Sequence, residues 1–173
     1  MQSWKVFEKE VARRLDGVRV IRERWDKRDC DIRHPVFSIE CKLRGTIGLW
    51  YGQLLKQCRA AGRQETIQQN CSKFVLDCLK QAEGYAPQQT NPPQLAYRRL
   101  IPVAVIKLKG TEYDDALVFM GKKDFPYALI PNWIFLNGME GGQPSRPVVY
   151  TGLREFSDYW TRYKEKLLYN PAA

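Results

Sequence analysis

Histidine occurs once in the 173 residues, at His34, and no two of the five cysteines stand in Cys-x-x-Cys spacing. A Cys/His zinc site is therefore left without ligands at suitable spacing. The odd set Cys30, Cys41, Cys58, Cys71 and Cys78 argues against a disulfide framework and predicts reduced thiols. No run of about 18 apolar residues occurs, and the opening "MQSWKVFEKEVARRL" is charged from Lys5 onward, unlike a secretory signal. The expectation is a soluble, cytoplasmic chain with no membrane association. Acidic residues are also short, 19 Asp+Glu against 28 Lys+Arg, for a formal charge of +9. Such an excess favours a polyanionic partner, because basic side chains gain binding energy by releasing counterions from phosphates. Nucleic acid comes first, an anionic membrane surface second.

What is present reads as one domain with a sizeable core, 44% of residues being hydrophobic. Trp4, Phe7, Val11 and Leu15 fall at helical spacing and predict an apolar stripe on a helix over 3–16, ended by Gly17. Val18 to Trp25 alternates like a strand with one wet face. The stretch "VFSIECK", Val36 to Lys42, is a strand with Val36, Ser38, Glu40 and Lys42 on one face and Phe37, Ile39 and Cys41 on the other. Residues 43–70 read as an irregular excursion in which only Leu49 to Ala61 is helical. A helix with Phe74, Val75, Cys78, Leu79, Ala82 and Tyr85 on its apolar side follows. Residues 87–93 then form a loop, Ile101 to Lys109 a strand, and Asp115 to Met120 its hairpin partner across the turn "GTEYD". "NWIFLN" suggests one more strand. A last helix over Leu153 to Leu168 buries Leu153, Phe156, Trp160, Tyr163 and Leu167.

The charges inside the strand "SIECK" carry the chemistry. Glu40 and Lys42 project to one side about 6.6 Å apart along the strand, and a short turn through His34 and Pro35 folds Asp31 back beside Glu40. Two converging carboxylates repel unless a hard divalent cation accepts oxygen from both. Mg2+ suits this, with Mn2+ able to substitute. It binds through one or two carboxylates and substrate phosphate, and the backbone carbonyl of Cys41 offers a further oxygen. Such an ion lowers the pKa of a bound water and offsets charge in phosphodiester hydrolysis. Lys42 would orient the attacking water and neutralise the phosphate, and a lysine so close to metal is expected to have a depressed pKa.

The pattern "DCDI…IECK" resembles the PD-(D/E)xK nucleases, and within them the archaeal and phage Holliday junction resolvases. "FEKEVARRL" is similar to that family's first helix and implies a catalytic, metal-side role for Glu8. The motif residues fall on Asp31, Glu40 and Lys42, and "LDCLKQAEGYA" implies a glutamine, Gln81, beside the lysine. Cys30 stands where the family usually has proline. The resemblance covers residues 4 to 125. It implies a restriction-endonuclease-like α/β core, a mixed central sheet flanked by helices, spanning 1–125, with 126–173 as a C-terminal extension packed on it. It also implies Mg2+-dependent endonuclease action on DNA, probed best with branched or four-way junctions, leaving 5′-phosphate, and a homodimer, in keeping with a phage-encoded enzyme of DNA recombination and repair. Two other readings stay open: a restriction- or repair-type enzyme cutting duplex or flapped DNA, and a non-cleaving DNA-binding module of the same fold.

For gripping DNA, Arg22, Arg24, Arg28, Arg33 and Arg44 lie near the proposed site and suit phosphate contacts. Trp50 and Tyr51 in the excursion are candidates for stacking on an unpaired base.

Overall fold

The computed structural model of the chain describes residues 4–21, 30–45, 49–62, 64–85, 99–140, 143–144 and 146–169. Among them stand helices α1 (Trp4–Arg14), α2 (Leu49–Ala61), α3 (Lys73–Tyr85) and α4 (Leu153–Tyr169). The strands are β1 (Val18–Arg19), β2 (Ile32–Arg33), β3 (Phe37–Arg44), β4 (Gln64–Cys71), β5 (Ile101–Leu108), β6 (Leu117–Gly121), β7 (Trp133–Glu140), β8 (Gln143–Pro144) and β9 (Val148–Gly152). They form one mixed sheet in the order β1-β2-β3-β5-β6-β9-β7-β4, with β8 paired to β7. Among the described strands β3·β5 and β4·β7 run parallel, and the other pairings are antiparallel.

The alternation along the strands decides which helix covers which face. On one face Phe37, Ile39 and Cys41 of β3 join Val103 and Val105 of β5 and Val118 and Met120 of β6. They pack against Phe7, Val11 and Leu15 from the α1 segment and Phe156 and Trp160 of α4. On the other, Ala104, Ile106, Leu117 and Phe119 meet Tyr51, Leu55 and Cys58 of α2 and Val75, Cys78 and Leu79 of α3. Each large apolar side chain so buried contributes roughly 2 kcal/mol. The predicted parity holds from Phe37 on, with Ser38 Oγ donating to the Ala82 carbonyl of α3 at 2.6 Å, whereas Val36, ahead of the strand, packs with Phe37, Ile39 and Cys41 and not on the Ser38 face. All five cysteines are buried free thiols.

Two local devices fix the hairpin that carries Asp31. Helix α1 closes with the Gly17 amide donating to the Ala12 carbonyl at 2.9 Å, and the left-handed position is Asp16, φ 54°. Asp16 then accepts from Trp160 Nε1 and Lys164 Nζ, each at 3.0 Å, which ties α4 to α1. Gly17 is needed for closeness instead, since a Cβ there would lie 2.5 Å from Ile32 Cγ2. His34 Nδ1 accepts the amides of Val36 and Phe37, both at 3.1 Å, and so organises the β2–β3 turn. Two backbone donors on Nδ1 require the proton on Nε2. Burial holds this imidazole neutral, with its pKa pulled down to about 4, and its ring packs on Phe37 and Trp160.

Three expectations change. Trp4 is not in the stripe; it is 54% exposed, with Lys5 and Arg19 over its ring. Residues 43–70 are only partly an excursion, because their end forms β4, which pairs in parallel with β7 at the sheet edge. Residues 126–173 are not an extension packed on a completed core: β9 lies between β6 and β7 within the sheet, and α4 is one of its covering helices. The predicted strand 18–25 is seen only at Val18–Arg19, its remainder from 22 lying outside the described residues, as does the loop 87–93.

Candidate active site

Two elements deliver carboxylates to one ammonium, and α1 adds a third, separately paired acid. Asp31, just ahead of β2, donates its amide to the Ile39 carbonyl at 3.1 Å. Its Oδ2 accepts the Cys41 amide at 2.8 Å, so the carboxylate is pinned against β3. Glu40 of β3 is buried, and Lys42, two residues on, donates to Glu40 Oε1. The same ammonium stands 3.9 Å from Asp31 Oδ2. Glu8 comes from α1, buried, with Arg19 Nε donating to its Oε2 at 2.7 Å. Burial first, then the charges of Asp31, Glu8 and Glu40, push the pKa of the Cys41 thiol well above its ordinary value.

Lys42 behaves differently from the sequence expectation. Burial pulls its pKa down, but the hydrogen bond and charge of Glu40, with Asp31 behind, outweigh that and raise it. In the protein's own field the lysine is a firm cation shared by two acids. Burial, the largest influence, raises the pKa of the Cys78 thiol of α3 to about 11, against the opposing effect of Lys42. Glu10 faces Arg13 and Arg14 instead, and is partly exposed, whereas Glu8 turns inward.

Among the described residues no group of three or more His, Cys, Asp or Glu side chains stands close enough to hold a metal ion. Asp31 and Glu40, linked by one ammonium, are the pair available. A small hard cation held by two carboxylates, waters and a substrate phosphate fits that donor set, and a closed all-protein cage does not.

The other predicted residues divide. Gln81 is exposed on α3, and among the described residues no hydrogen bond joins it to Lys42. Arg33 and Arg44 are exposed on β2 and at the end of β3, and the Arg44 guanidinium lies 4.1 Å from the centre of the Phe74 ring. Tyr51 is not available for stacking: it is 2% exposed, packs against Tyr150 and accepts that residue's hydroxyl on its carbonyl at 3.1 Å. A Tyr on the inner side of an amphipathic helix is core first. Arg22, Arg24 and Arg28 lie outside the described residues, as does the side chain of Trp50. Sequence reasoning missed Arg19 as the partner of Glu8. Its parity in the β1 alternation, opposite to that of Arg22 and Arg24, was the available signal.

Comparison of the chain with protein-family models, with curated proteins and with solved structures finds no match. No helix among the described residues is long and apolar enough to cross a membrane.

Proposed function

We propose that the protein is a divalent-cation-dependent DNA endonuclease of the PD-(D/E)xK type, acting on branched DNA as a Holliday junction resolvase does. The observation that carries this reading is the meeting of Asp31 from the β2 entry and Glu40 from β3 on the one ammonium of Lys42. The mixed sheet flanked by helices and the charge of +9 agree with it. Asp31 and Glu40, with the Cys41 carbonyl and Glu8 behind, are the oxygens that would hold Mg2+ or Mn2+. When bound, such an ion supplies a water of lowered pKa and charge compensation. The chain's own part is to present the DNA and to bring Lys42 against the scissile phosphate, where its ammonium can leave Glu40 for the phosphate oxygens. Arg33 and Arg44 flank that position. Gln81 is assigned the weaker role of a neighbour that reaches substrate from α3. Two copies of the chain acting as a homodimer would nick both strands of a junction.

A DNA-binding module that does not cut is the second reading. One observation favours it: Lys42 is held by both acids, as in a structural ion pair. Incubating the chain with a labelled four-way junction and with linear duplex, in Mg2+ and then Mn2+, separates the two. Nicking of the junction that disappears in Asp31→Asn supports the nuclease. Salt-dependent binding with no nicking in either metal supports the module, and preferential cutting of linear duplex moves the substrate to the restriction or repair type.

A further inference from the structure

Away from the carboxylates, a cavity of about 540 Å³ opens between the later part of α3 and the end of β6, lined by Glu83, Gly121, Lys122, Lys123, Tyr127 and Arg146 among others. A second hollow of about 220 Å³ shares Lys122 and Tyr127 with it and reaches Trp133 and Phe135. The walls carry unused hydrogen-bonding groups. The Tyr127 hydroxyl and Arg146 Nη2 of the first hollow and the Trp133 indole nitrogen of the second have no hydrogen-bond partner among the described residues. Arg146 uses its other terminal nitrogen on Glu83, at 2.6 Å. Most buried polar groups in native proteins are paired, so unpaired ones beside these hollows suit a ligand that pairs them. Gly121 keeps the space open: a Cβ there would come within 3.2 Å of Arg146 Nη2 and 3.5 Å of Asp124 Oδ2.

The groups select the ligand's chemistry. Lys122 and Lys123 are exposed, and with Arg146 they make a cationic rim. Tyr127 stands edge-on to Trp133, ring centres 5.0 Å apart, and the Lys122 ammonium lies 5.2 Å from the centre of the Phe135 ring. A simple anion would satisfy the rim and leave the aromatic floor unmatched. An uncharged aromatic would do the reverse. A molecule with a flat π-face, an edge of mixed donors and acceptors, and a phosphate matches all of them. We infer that this cavity binds a single nucleotide, its base against Tyr127 and Trp133 and its phosphate on Lys122, Lys123 and Arg146.

The nucleotide has two possible sources, a free mononucleotide or an unstacked residue of a DNA strand, and the second rests on the nuclease reading. Continuing the β5–β6 register beyond Ala104↔Phe119 brings Gly121 level with Pro102, which pairs with Ser38, four residues before Lys42. Strand spacings then put the cavity roughly 16 Å from Lys42, within the span of a single bound DNA.

The test uses the whole chain in EDTA, so that hydrolysis plays no part. Calorimetric titration with 5′-deoxynucleoside monophosphates, the matching nucleosides and inorganic phosphate is run beside fluorescence titration with a duplex carrying one unpaired 2-aminopurine. Mononucleotide should bind about tenfold or more tightly than nucleoside or phosphate, and Lys122→Gln with Lys123→Gln should weaken it at least about tenfold. Tyr127→Phe should weaken it about threefold, while Asp31→Asn binds as the unaltered chain does even where it no longer cuts. A 2-aminopurine response relieved by the same lysine substitutions assigns the DNA strand as a source, and a response to mononucleotide alone assigns the free ligand. Binding of neither probe, or affinities indifferent to the lysine substitutions, overturns the inference.

Discussion

Two of the charge clusters among the described residues are built on opposite plans. One joins α2 to α4 and the turn at Tyr113–Asp115: Arg59 meets Asp115 and Glu155 at 2.7 Å each and the Asp114 carbonyl at 2.7 Å. Lys56 reaches Asp115 at 3.1 Å and Arg154 reaches Glu155 at 3.7 Å, so cations outnumber acids. The central guanidinium is only 10% exposed. At the β2–β3 end, Glu8, Asp31 and Glu40 outnumber Arg19 and Lys42, and the central cation is a lysine 32% exposed. A compensated cluster closed from water is a joint. One with surplus negative charge and a solvent-open lysine has capacity left for a cation and a phosphate.

The largest expected contrast comes from breaking each cluster in turn. Asp31→Asn or Lys42→Ala should cut single-turnover junction nicking by about a thousandfold or more, equivalent to about 4 kcal/mol, and Asp31→Asn, which keeps an oxygen for the Cys41 amide, should leave the urea midpoint close to that of the unaltered chain. Arg59→Ala should do the opposite. Asp115 and Glu155, both half-buried, keep only the exposed Lys56 and Arg154, unfolding becomes easier by about 1–3 kcal/mol, and nicking per folded molecule stays the same.

Next in size is the pH dependence of the hairpin that holds Asp31. His34 has an ordinary pKa of 6.5 and a folded pKa of about 4. Between those values the unfolded chain takes up a proton that the folded one refuses, so stability is full above pH 6.5 and falls by about 3 kcal/mol as the pH drops to 4. Urea unfolding across that window measures it. His34→Asn keeps an acceptor for the Val36 and Phe37 amides and should flatten the slope. Hydrogen exchange should show the β2–β3 end loosening in acid before the Arg59 joint does.

The smallest effect tests the substrate side. Arg44→Ala should weaken DNA binding a few-fold without regard to sequence and lower the slope of log affinity against log salt by about 1. Lys56→Ala, at the compensated cluster, should leave both unchanged.

The two regions also differ in how far the chain announces them. The β3 parity, the His-Pro turn and the apolar spacings of α1, α3 and α4 are local patterns, so the charged strand and its helical covers were legible. Glu8 was placed inward by its position beside Phe7 and Val11. The far half of the sheet was not legible. β4, "QETIQQNC", lacks the alternation of a half-buried strand, and its pairing with β7 joins residues about seventy positions apart, a relation no window contains. β9, "VVYTG", is short and went unread, which made 126–173 look peripheral. Tyr51 looked like a platform because its helix was taken to leave the core. Arg59 carried no signal, since its acids lie on elements remote in sequence.

The central claim is that the charge surplus around Cys41 is a cation site and the Arg59 cluster is not. Mn2+ titration followed by paramagnetic broadening of backbone amide resonances tests it directly. The account predicts saturable broadening centred on the amides of Glu40 and Cys41, abolished by Asp31→Asn, with those of Arg59 and Asp115 left sharp. Sharp Glu40 and Cys41 signals at saturating Mn2+, or the same broadening in Asp31→Asn, would contradict it.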